Sequence, residues 1–321
     1  MKDEIVAALG TFGIVPVLVF ERADVAVPVC RALAAGGLPL AEITFRTDAA
    51  AEAIGRVSAE LPEVLLGAGT VLTQEQAGQA IDSGARFVVS PGVSPAVVRY
   101  CIERDVAVLP GCATATDVST ALDLGVQTVK FFPAEALGGV KTLKALAGPF
   151  RGVKFVPTGG IDPGNLNEYL ALPQVLACGG SWLATPEAMR AGDYEAIEKG
   201  AAQAVSVMLG FELAHLGINR ASAEEALELA GTLGRLWHLP VKEGSSSVFS
   251  GPAFEVMKGD GRGARGHVAI RTNSIPRAVA HLERLGIAVD PDSAKGPAGG
   301  PITAIYLRDE IAGFAFHLLQ K

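Results

Sequence analysis

Short apolar runs rich in Val, Ile and Phe alternate with Ala-rich amphipathic segments between about residues 14 and 183. This alternation predicts a parallel sheet in which each strand is followed by a helix. The predicted strands are IVPVLVF (14–20), LAEITF (40–45), VLLGAGTV (64–71), RFVVSPG (86–92), VAVLPGC (106–112), TVKFFPA (128–134), VKFVPTGG (153–160) and VLACGGSWL (175–183). Eight strands close a (β/α)8 barrel, so we predict the α/β class and a TIM barrel over residues 1–210. An open doubly wound sheet is the alternative, but no GxGxxG motif follows the first strand.

The pattern changes near residue 211, after a segment at 193–210 that is predicted to be the last helix of the barrel. Two similar series of elements follow, and their repetition indicates an internal duplication. Their segments are FELAHLGIN and ASAEEALELAGTLG in the first series, then GHVAIRTN, IPRAVAHLERLG, PITAIYL and AFHLLQ in the second. We therefore predict a smaller α+β domain of two β-α-β-rich units over residues 211–321.

Composition excludes several classes of protein. Hydrophobic residues make up 49% of the chain and charged residues 19%, which is enough for a sizeable core and unlike a disordered chain. A formal net charge of -7 with scattered basic residues argues against binding to nucleic acid. Neither a signal peptide nor a membrane span is evident, so a cytoplasmic enzyme is the expectation. The cysteines lie singly in apolar segments and are expected to be buried, reduced thiols: Cys30, Cys101, Cys112 and Cys178.

Histidine is confined to the last third of the chain. All five histidines follow residue 210, so the predicted barrel has none. Acid–base chemistry in the barrel must therefore use carboxylates, lysine, hydroxyl groups or water instead of imidazole. This excludes a Ser-His triad there.

The second predicted strand carries a carboxylate and a guanidinium on one face. Glu42, Thr44 and Arg46 alternate along it, and alternate side chains of a barrel strand point inward. A general base and an anion-binding group would then be neighbours at the barrel mouth. A Glu–Arg ion pair with only a structural role is the alternative.

Lys130 lies in the sixth predicted strand between Val129 and Phe131. A charged amine is costly to bury there, whereas desolvation favours the neutral amine that can attack a ketone and form an imine. The alternative is a lysine that extends to the barrel rim. Lys154 also lies on a strand, but at its start, which is the non-catalytic end of the barrel. Lys130 is therefore the predicted nucleophile.

Further candidates end the third, fourth, seventh and eighth predicted strands. Thr70 closes GAGT and Pro91 lies in SPG, where a hydroxyl group and an apolar wall could hold a small keto acid. The runs PTGG (157–160) and GGS (179–181) end the last two strands, where backbone N–H groups of such barrels bind phosphate. Ordinary turns are the alternative for each position.

Seven short motifs in fixed order resemble those of the 2-dehydro-3-deoxy-6-phosphogluconate/4-hydroxy-2-oxoglutarate aldolases, over about residues 5–208. They are EITFRT, GAGTV, SPG, VKFFPAE, GPF, PTGGI and GGSWL. The resemblance implies Lys130 as the Schiff-base lysine and Glu42 as the general acid–base. The substrate contacts that it implies are Arg46 and Thr70 at the carboxylate, Pro91 and Phe132 against the pyruvyl portion, Thr158 nearby, and Gly159, Gly160 and Ser181 at the phosphate.

The resemblance further implies a homotrimer and a lyase that releases pyruvate from a 2-keto-3-deoxy sugar acid. No cofactor is expected for this reaction, because the protonated imine itself accepts the electrons of the cleaved bond. Phosphorylated gluconate, phosphorylated galactonate and hydroxy-oxoglutarate substrates all stay open. CATATDV (112–118) and Phe45 differ from the commonest pattern of the family, which affects substrate preference more than reaction type. Rival functions are a sugar-phosphate isomerase or epimerase, which would have no use for Lys130, and a non-catalytic phosphosugar sensor.

The segment after residue 211 resembles the glyoxalase-like vicinal oxygen chelate fold, and the resemblance implies paired βαβββ units. The positions that the resemblance implies as metal ligands are His215, Glu255, His267 and His317. The last position more often carries Glu in that fold, but histidine is a competent ligand for zinc, nickel or iron. A degenerate domain used for packing or regulation is the alternative. His238 and His281 are interpreted as surface or structural residues.

Overall fold

The computed structural model describes residues 2–321, which form two compact units. The first unit ends at Met208 and the second is Leu209–Lys321, so the division lies two residues before the predicted boundary. Leu209 belongs to the second unit because its carbonyl accepts hydrogen bonds from Thr272 Oγ1 at 2.8 Å and from the Asn273 amide at 2.9 Å. Among residues 2–321, no helix has the length and apolar character needed to cross a membrane.

Each of the eight predicted strand segments of the first unit contains a strand. The strands are β1 Ile14–Leu18, β2 Leu40–Thr44, β3 Leu65–Gly69, β4 Phe87–Val89, β5 Ala107–Leu109, β6 Gly111–Cys112, β7 Thr128–Phe131, β8 Lys154–Pro157 and β9 Cys178–Gly180. Strands β5 and β6 are two parts of one predicted segment, separated at Pro110, whose missing N–H interrupts the ladder.

All of these strands pair in parallel, and their order closes a barrel. One run of pairings is β5-β4-β3-β2-β1-β9 and the other is β6-β7-β8. Parallel bridges from Phe155 to Val175 and from Thr158 to Gly179 join β8 to the β9 side. The predicted (β/α)8 barrel is therefore confirmed.

Helices surround the strands, and three of them begin with a threonine that caps a free backbone amide. The helices are α1 Lys2–Phe12, α2 Ala26–Ala35, α3 Ala50–Glu60, α4 Gln74–Asp82, α5 Pro95–Glu103, α6 Ala115–Asp123, α7 Gly139–Ala147, α8 Leu166–Leu170, α9 Pro186–Ala191 and α10 Tyr194–Leu209. Helix α1 adds Leu9 and Phe12 to a core formed with strand residues such as Leu40 and Ala107. The same core includes Val89 and Leu109, the last residues of β4 and β5, so it runs through the interior of the barrel. Active residues of such barrels come from the carboxyl-terminal ends of the strands.

The second unit repeats one order of elements twice, as the sequence predicts. Its elements are β10 Glu212–Ile218, α11 Ala223–Trp237, β11 Val241–Glu243, β12 Ser247–Ser250 and β13 Phe254–Met257, then β14 His267–Thr272, α12 Ile275–Arg284, β15 Val289–Lys295, β16 Ala304–Leu307 and β17 Ala315–Gln320. The sheet order is β11-β12-β13-β10-β14-β17-β16-β15, so each half has the same internal order and the halves meet at the antiparallel pair β10 and β14. The paired βαβββ prediction is confirmed.

Candidate active site

A buried lysine and a buried carboxylate meet inside the barrel. Lys130 Nζ on β7 lies 3.4 Å from Glu42 Oε1 on β2, and the two residues are only 5% and 3% exposed. Burying both charges is costly, and such a pair contributes little to stability compared with apolar packing. The sequence alone left open an ion pair between Glu42 and Arg46. In the structure, the cation beside Glu42 is Lys130. An amine and a proton acceptor in contact can carry out imine chemistry.

Gly69 provides the space that Glu42 occupies. A Cβ atom on Gly69 would overlap the Glu42 carboxyl group, far inside van der Waals contact. Gly69 is the last residue of β3 and pairs with Thr44 in the neighbouring strand. Sequence reasoning missed its role, although a glycine inside a strand is a known sign of close approach by another group.

Two residues at the ends of β3 and β4 have the constrained geometry of a site. Thr70 follows β3 with φ 55°, a left-handed conformation that a β-branched residue rarely adopts. Pro91 lies so close to Gly111 of β6 that a Cβ there would overlap the Pro91 carbonyl. Both positions were selected from the sequence, and both lie at the carboxyl-terminal end of the barrel.

The predicted phosphate residues lie after β8 and β9. Gly159 and Gly160 have φ 102° and 79°, so only glycine adopts this turn without strain. Thr158, which is buried, lies against Gly179, and Gly159 packs on the ring of Phe132. Ser181 follows β9 directly and is exposed. The Phe132 ring also has Lys130 Nζ 5.1 Å from its centroid, so it connects the lysine with this turn.

Arg46 lies beyond the end of strand β2, on which the sequence placed it. Strand β2 ends at Thr44, whose hydroxyl donates to the Leu18 carbonyl at 2.9 Å, and Arg46 is exposed in the turn that follows. It lines a surface groove with Gln76 and Gln79. The contact of Arg46 with the substrate carboxylate therefore stays a prediction.

The second unit brings four side chains together from four strands. Glu255 Oε2 on β13 lies 3.0 Å from His215 Nε2 on β10 and 3.1 Å from His267 Nε2 on β14, and the two Nε2 atoms are 3.2 Å apart. His317 on β17 completes a group of three buried histidines whose ligand atoms all lie within 4.8 Å of one another. Sequence reasoning selected these same four residues.

The charges of this histidine cluster are set by burial and contact. Burial by itself raises the pKa of Glu255, but hydrogen bonds from His215, His267 and Ser247 hold that pKa well below its ordinary value. Burial, together with His267 and His215, lowers the pKa of His317 to about 4. The cluster is therefore a carboxylate beside a neutral His317 at neutral pH, which is the protonation state that a metal ligand needs.

Three residues around the histidine cluster were missed by sequence reasoning. Ser247 donates to Glu255 Oε1 at 2.7 Å, which leaves Oε2 directed at the imidazoles. Gly217 has no Cβ where the His267 ring lies. Tyr306 stacks on His317 with centroids 4.6 Å apart. A glycine within a strand can be recognised in the sequence as a sign of close approach by another group. The contacts of Ser247 and Tyr306 depend on the register between strands, which the sequence does not show.

Similarity to known proteins identifies the family of the barrel. A sequence model of the KDPG and KHG aldolases matches residues 5–200. The 2-dehydro-3-deoxy-phosphogluconate aldolase of Treponema pallidum is 52% identical over 204 residues, which cover 63% of this chain and 97% of the relative. The KHG/KDPG aldolase of Escherichia coli K12 is 45% identical over 204 residues, which cover 64% of this chain and 96% of the relative.

Solved structures give the same result. The 2-keto-3-deoxy-6-phosphogluconate aldolase of Zymomonas mobilis, determined with 3-phosphoglycerate, has a TM-score of 0.60 and 41% identity over 64% of this chain and 96% of its own. The KDPG aldolase of Legionella pneumophila, with pyruvate captured as a covalent carbinolamine, has a TM-score of 0.60 and 36% identity over 62% of this chain and 97% of its own. Because the family match covers more than half of the chain, the protein belongs to the KDPG and KHG aldolase family and is a Schiff-base-forming class I aldolase.

Proposed function

We propose that the barrel cleaves 2-dehydro-3-deoxy-6-phosphogluconate into pyruvate and glyceraldehyde 3-phosphate, with Lys130 as the imine-forming lysine and Glu42 as the general acid–base. The observation that carries this proposal is the buried contact of 3.4 Å between Lys130 Nζ and Glu42 Oε1 at the centre of the barrel. The names of the relatives from Treponema pallidum and Zymomonas mobilis support the choice of substrate.

The proposed mechanism follows from this contact. The Lys130 amine attacks the C2 ketone, water leaves, and a protonated imine results. Glu42 accepts the proton of the C4 hydroxyl group, directly or through a water molecule, while the C3–C4 bond breaks and its electron pair moves into the imine to give an enamine. Glu42 then returns a proton to the enamine carbon, and hydrolysis of the imine releases pyruvate. A carboxylate held against the amine can serve in both proton transfers.

Glu42→Gln is expected to lower turnover by at least about 100-fold, because the amide cannot accept the hydroxyl proton. Borohydride trapping of pyruvate should survive in this variant, since the lysine is intact. Steady-state pyruvate release measures the first effect and peptide mass spectrometry the second. Glu60→Gln, which changes an exposed carboxylate at the end of α3, is the matched control. Near-normal turnover of Glu42→Gln would remove Glu42 from the mechanism.

We propose that the turn Gly159–Gly160 and Ser181 bind the substrate phosphate. The two positive φ angles form a turn that only glycine adopts without strain, and Ser181 is exposed beside β9. Barrels of this kind bind phosphate after their last two strands. 4-Hydroxy-2-oxoglutarate, which carries no phosphate, and phosphorylated keto-deoxygalactonate are the other candidate substrates; a panel of keto-deoxy acids assayed for pyruvate release distinguishes them.

Ser181→Asp is expected to raise KM for the phosphorylated substrate at least about tenfold by charge repulsion. An Asn side chain has nearly the same shape as Asp without its charge, so Ser181→Asn should raise this KM much less. KM for an unphosphorylated keto-deoxy acid should change little in either variant. Equal affinity and turnover of wild-type protein for phosphorylated and unphosphorylated substrates would contradict the phosphate site and favour hydroxy-oxoglutarate.

We also propose a homotrimer, on the resemblance of the barrel to its family. Light scattering on the purified chain tests this proposal, because a monomer or a dimer gives a different mass.

We propose that the second unit is a glyoxalase-like, vicinal oxygen chelate domain and that His215, Glu255, His267 and His317 hold one divalent metal ion. The donor separations among Glu255, His215 and His267 are 3.0–3.2 Å, close to the ~3.3 Å edge that follows from metal–ligand bonds of ~2.0–2.1 Å in a tetrahedron. The His317 donor atom lies within 4.8 Å of those of His215 and His267. When bound, a divalent ion acts as a Lewis acid.

The surroundings of His317 support this metal site. Neither of its ring nitrogens has a hydrogen-bond partner among residues 2–321, although both are buried. A buried imidazole without partners is costly, and coordination of one nitrogen relieves that cost. Three histidines and one carboxylate favour zinc, nickel or iron. A packing role would not explain why both nitrogens of His317 lack partners inside a group of metal-binding side chains.

A further inference from the structure

A buried tyrosine holds a carboxylate next to the proposed phosphate turn. The Tyr169 hydroxyl on α8 donates a short hydrogen bond to Glu135 Oε1, and Tyr169 is fully buried while Glu135 is exposed. Glu135 follows β7, and its Cβ and Cγ lie where a side chain on Gly160 would be. The Glu135 side chain therefore starts directly beside the turn that is proposed to bind phosphate.

Glu135 is firmly attached to this turn through the backbone. Its amide donates to the Gly159 carbonyl at 3.0 Å, and the preceding Ala134 amide donates to the Thr158 carbonyl at 2.8 Å. On the other side, Asn165 Nδ2 donates to the Gly160 carbonyl at 3.0 Å. The backbone of Glu135 cannot move away without breaking these bonds, so only its side-chain rotamer sets the distance of the carboxylate from the turn.

An unrestrained carboxylate at this point would oppose phosphate binding. Backbone N–H groups in a glycine turn attract anions, and a negative charge close to the turn cancels part of that attraction. The hydrogen bond from Tyr169 directs the carboxylate toward α8 and Gly139, whose backbone lies beside both Glu135 Oε1 and Tyr169 Oη. Burial, followed by the contact with Glu135, raises the pKa of Tyr169, so the phenol remains a proton donor at neutral pH.

We propose that Tyr169 is a positioning residue for substrate selection: its hydroxyl group keeps the Glu135 carboxylate turned away from Gly159–Gly160, so that the turn can accept a phosphate. This inference rests on the proposed phosphate site, and it concerns selection between phosphorylated and unphosphorylated keto acids. We expect Tyr169 to affect substrate affinity and not the chemical step. Its hydroxyl group donates its hydrogen bond to Glu135, and not to Lys130 or Glu42.

Tyr169→Phe, Glu135→Gln and the double variant test the proposal in the full chain. Tyr169→Phe keeps the buried ring and releases the carboxylate, so KM for the phosphorylated substrate should rise about tenfold with kcat within about twofold. KM for the unphosphorylated substrate should not change. Glu135→Gln has no charge to repel phosphate, so its KM should stay within about twofold of wild type. The double variant should regain most of the affinity lost in Tyr169→Phe.

The rescue distinguishes charge positioning from a general packing role. Tyr100→Phe on α5 is the matched control, and it should leave both substrates unaffected. A double variant as impaired as Tyr169→Phe alone, or an equal loss with both substrates, would overturn the proposal. If instead the wild-type protein shows no preference for phosphorylated substrates, the proposed phosphate site fails. A wild-type preference that Tyr169→Phe leaves intact contradicts only the role of Tyr169.

Discussion

Lys130→Ala is expected to abolish pyruvate release, with a loss of at least about a thousandfold, because the variant has no amine to form the imine. Borohydride added with pyruvate should attach the reduced pyruvyl group to Lys130 in the wild-type protein and leave the variant unlabelled. Peptide mass spectrometry locates the label. The expectation rests on the position of Lys130, which is buried on β7 with Glu42 Oε1 3.4 Å away and the Phe132 ring beside it.

Lys154→Ala is the matched control for this experiment. Lys154 also lies on a barrel strand, but it is exposed at the start of β8, and its Nζ donates to the Pro173 carbonyl at 2.9 Å. It should therefore keep normal activity and normal labelling of Lys130. A label on Lys154, or an unmodified Lys130 after complete inactivation by borohydride, would show that the imine forms elsewhere.

The second large effect is expected in the other unit. The purified chain, reconstituted with zinc or nickel, should hold about one equivalent of metal, and the double variant His215→Ala, His267→Ala should hold none. Removing two of four ligands leaves only Glu255 and His317, which is too few for a stable site. Elemental analysis measures the metal, and the matched control is His238→Asn, which changes an exposed histidine in a left-handed conformation that asparagine also adopts.

Two further readouts do not depend on any activity of the second unit. A metal that binds only the folded state stabilises it by about 4 kcal/mol at a thousand times its Kd, so chelation should lower Tm in the wild type and not in the double variant. Because burial lowers the pKa of His317 to about 4, this ligand stays neutral at neutral pH and becomes protonated only as the pH falls toward that value. Protonation adds positive charge at the site, so metal should be released as the pH falls through this range.

Pyruvate release should be the same with and without chelator. Absence of stoichiometric metal after reconstitution would make the second unit a packing module, and chelator-sensitive aldol cleavage would contradict the imine mechanism.

The sequence by itself determined the order of elements and most of the chemistry. All eight apolar segments contain strands, since alternation between strand and helix periodicity is a local property of the chain. Lys130 was identified as a candidate because a charged side chain is costly to bury in an apolar strand. Thr70, Pro91 and the glycine turns were identified because they end strands. The four candidate ligands of the second unit came from its resemblance to the vicinal oxygen chelate fold.

Only the tertiary structure decided which of these residues meet. Lys130 and Glu42 are 88 positions apart in the chain, and their contact depends on the pairing order of the barrel and on the space that Gly69 leaves. The same is true of Tyr169 on α8 and Glu135 after β7, which are 34 positions apart and which no local pattern links. Distances between strands are set by register and closure of the sheet, and these are global properties that hydrophobic periodicity does not encode.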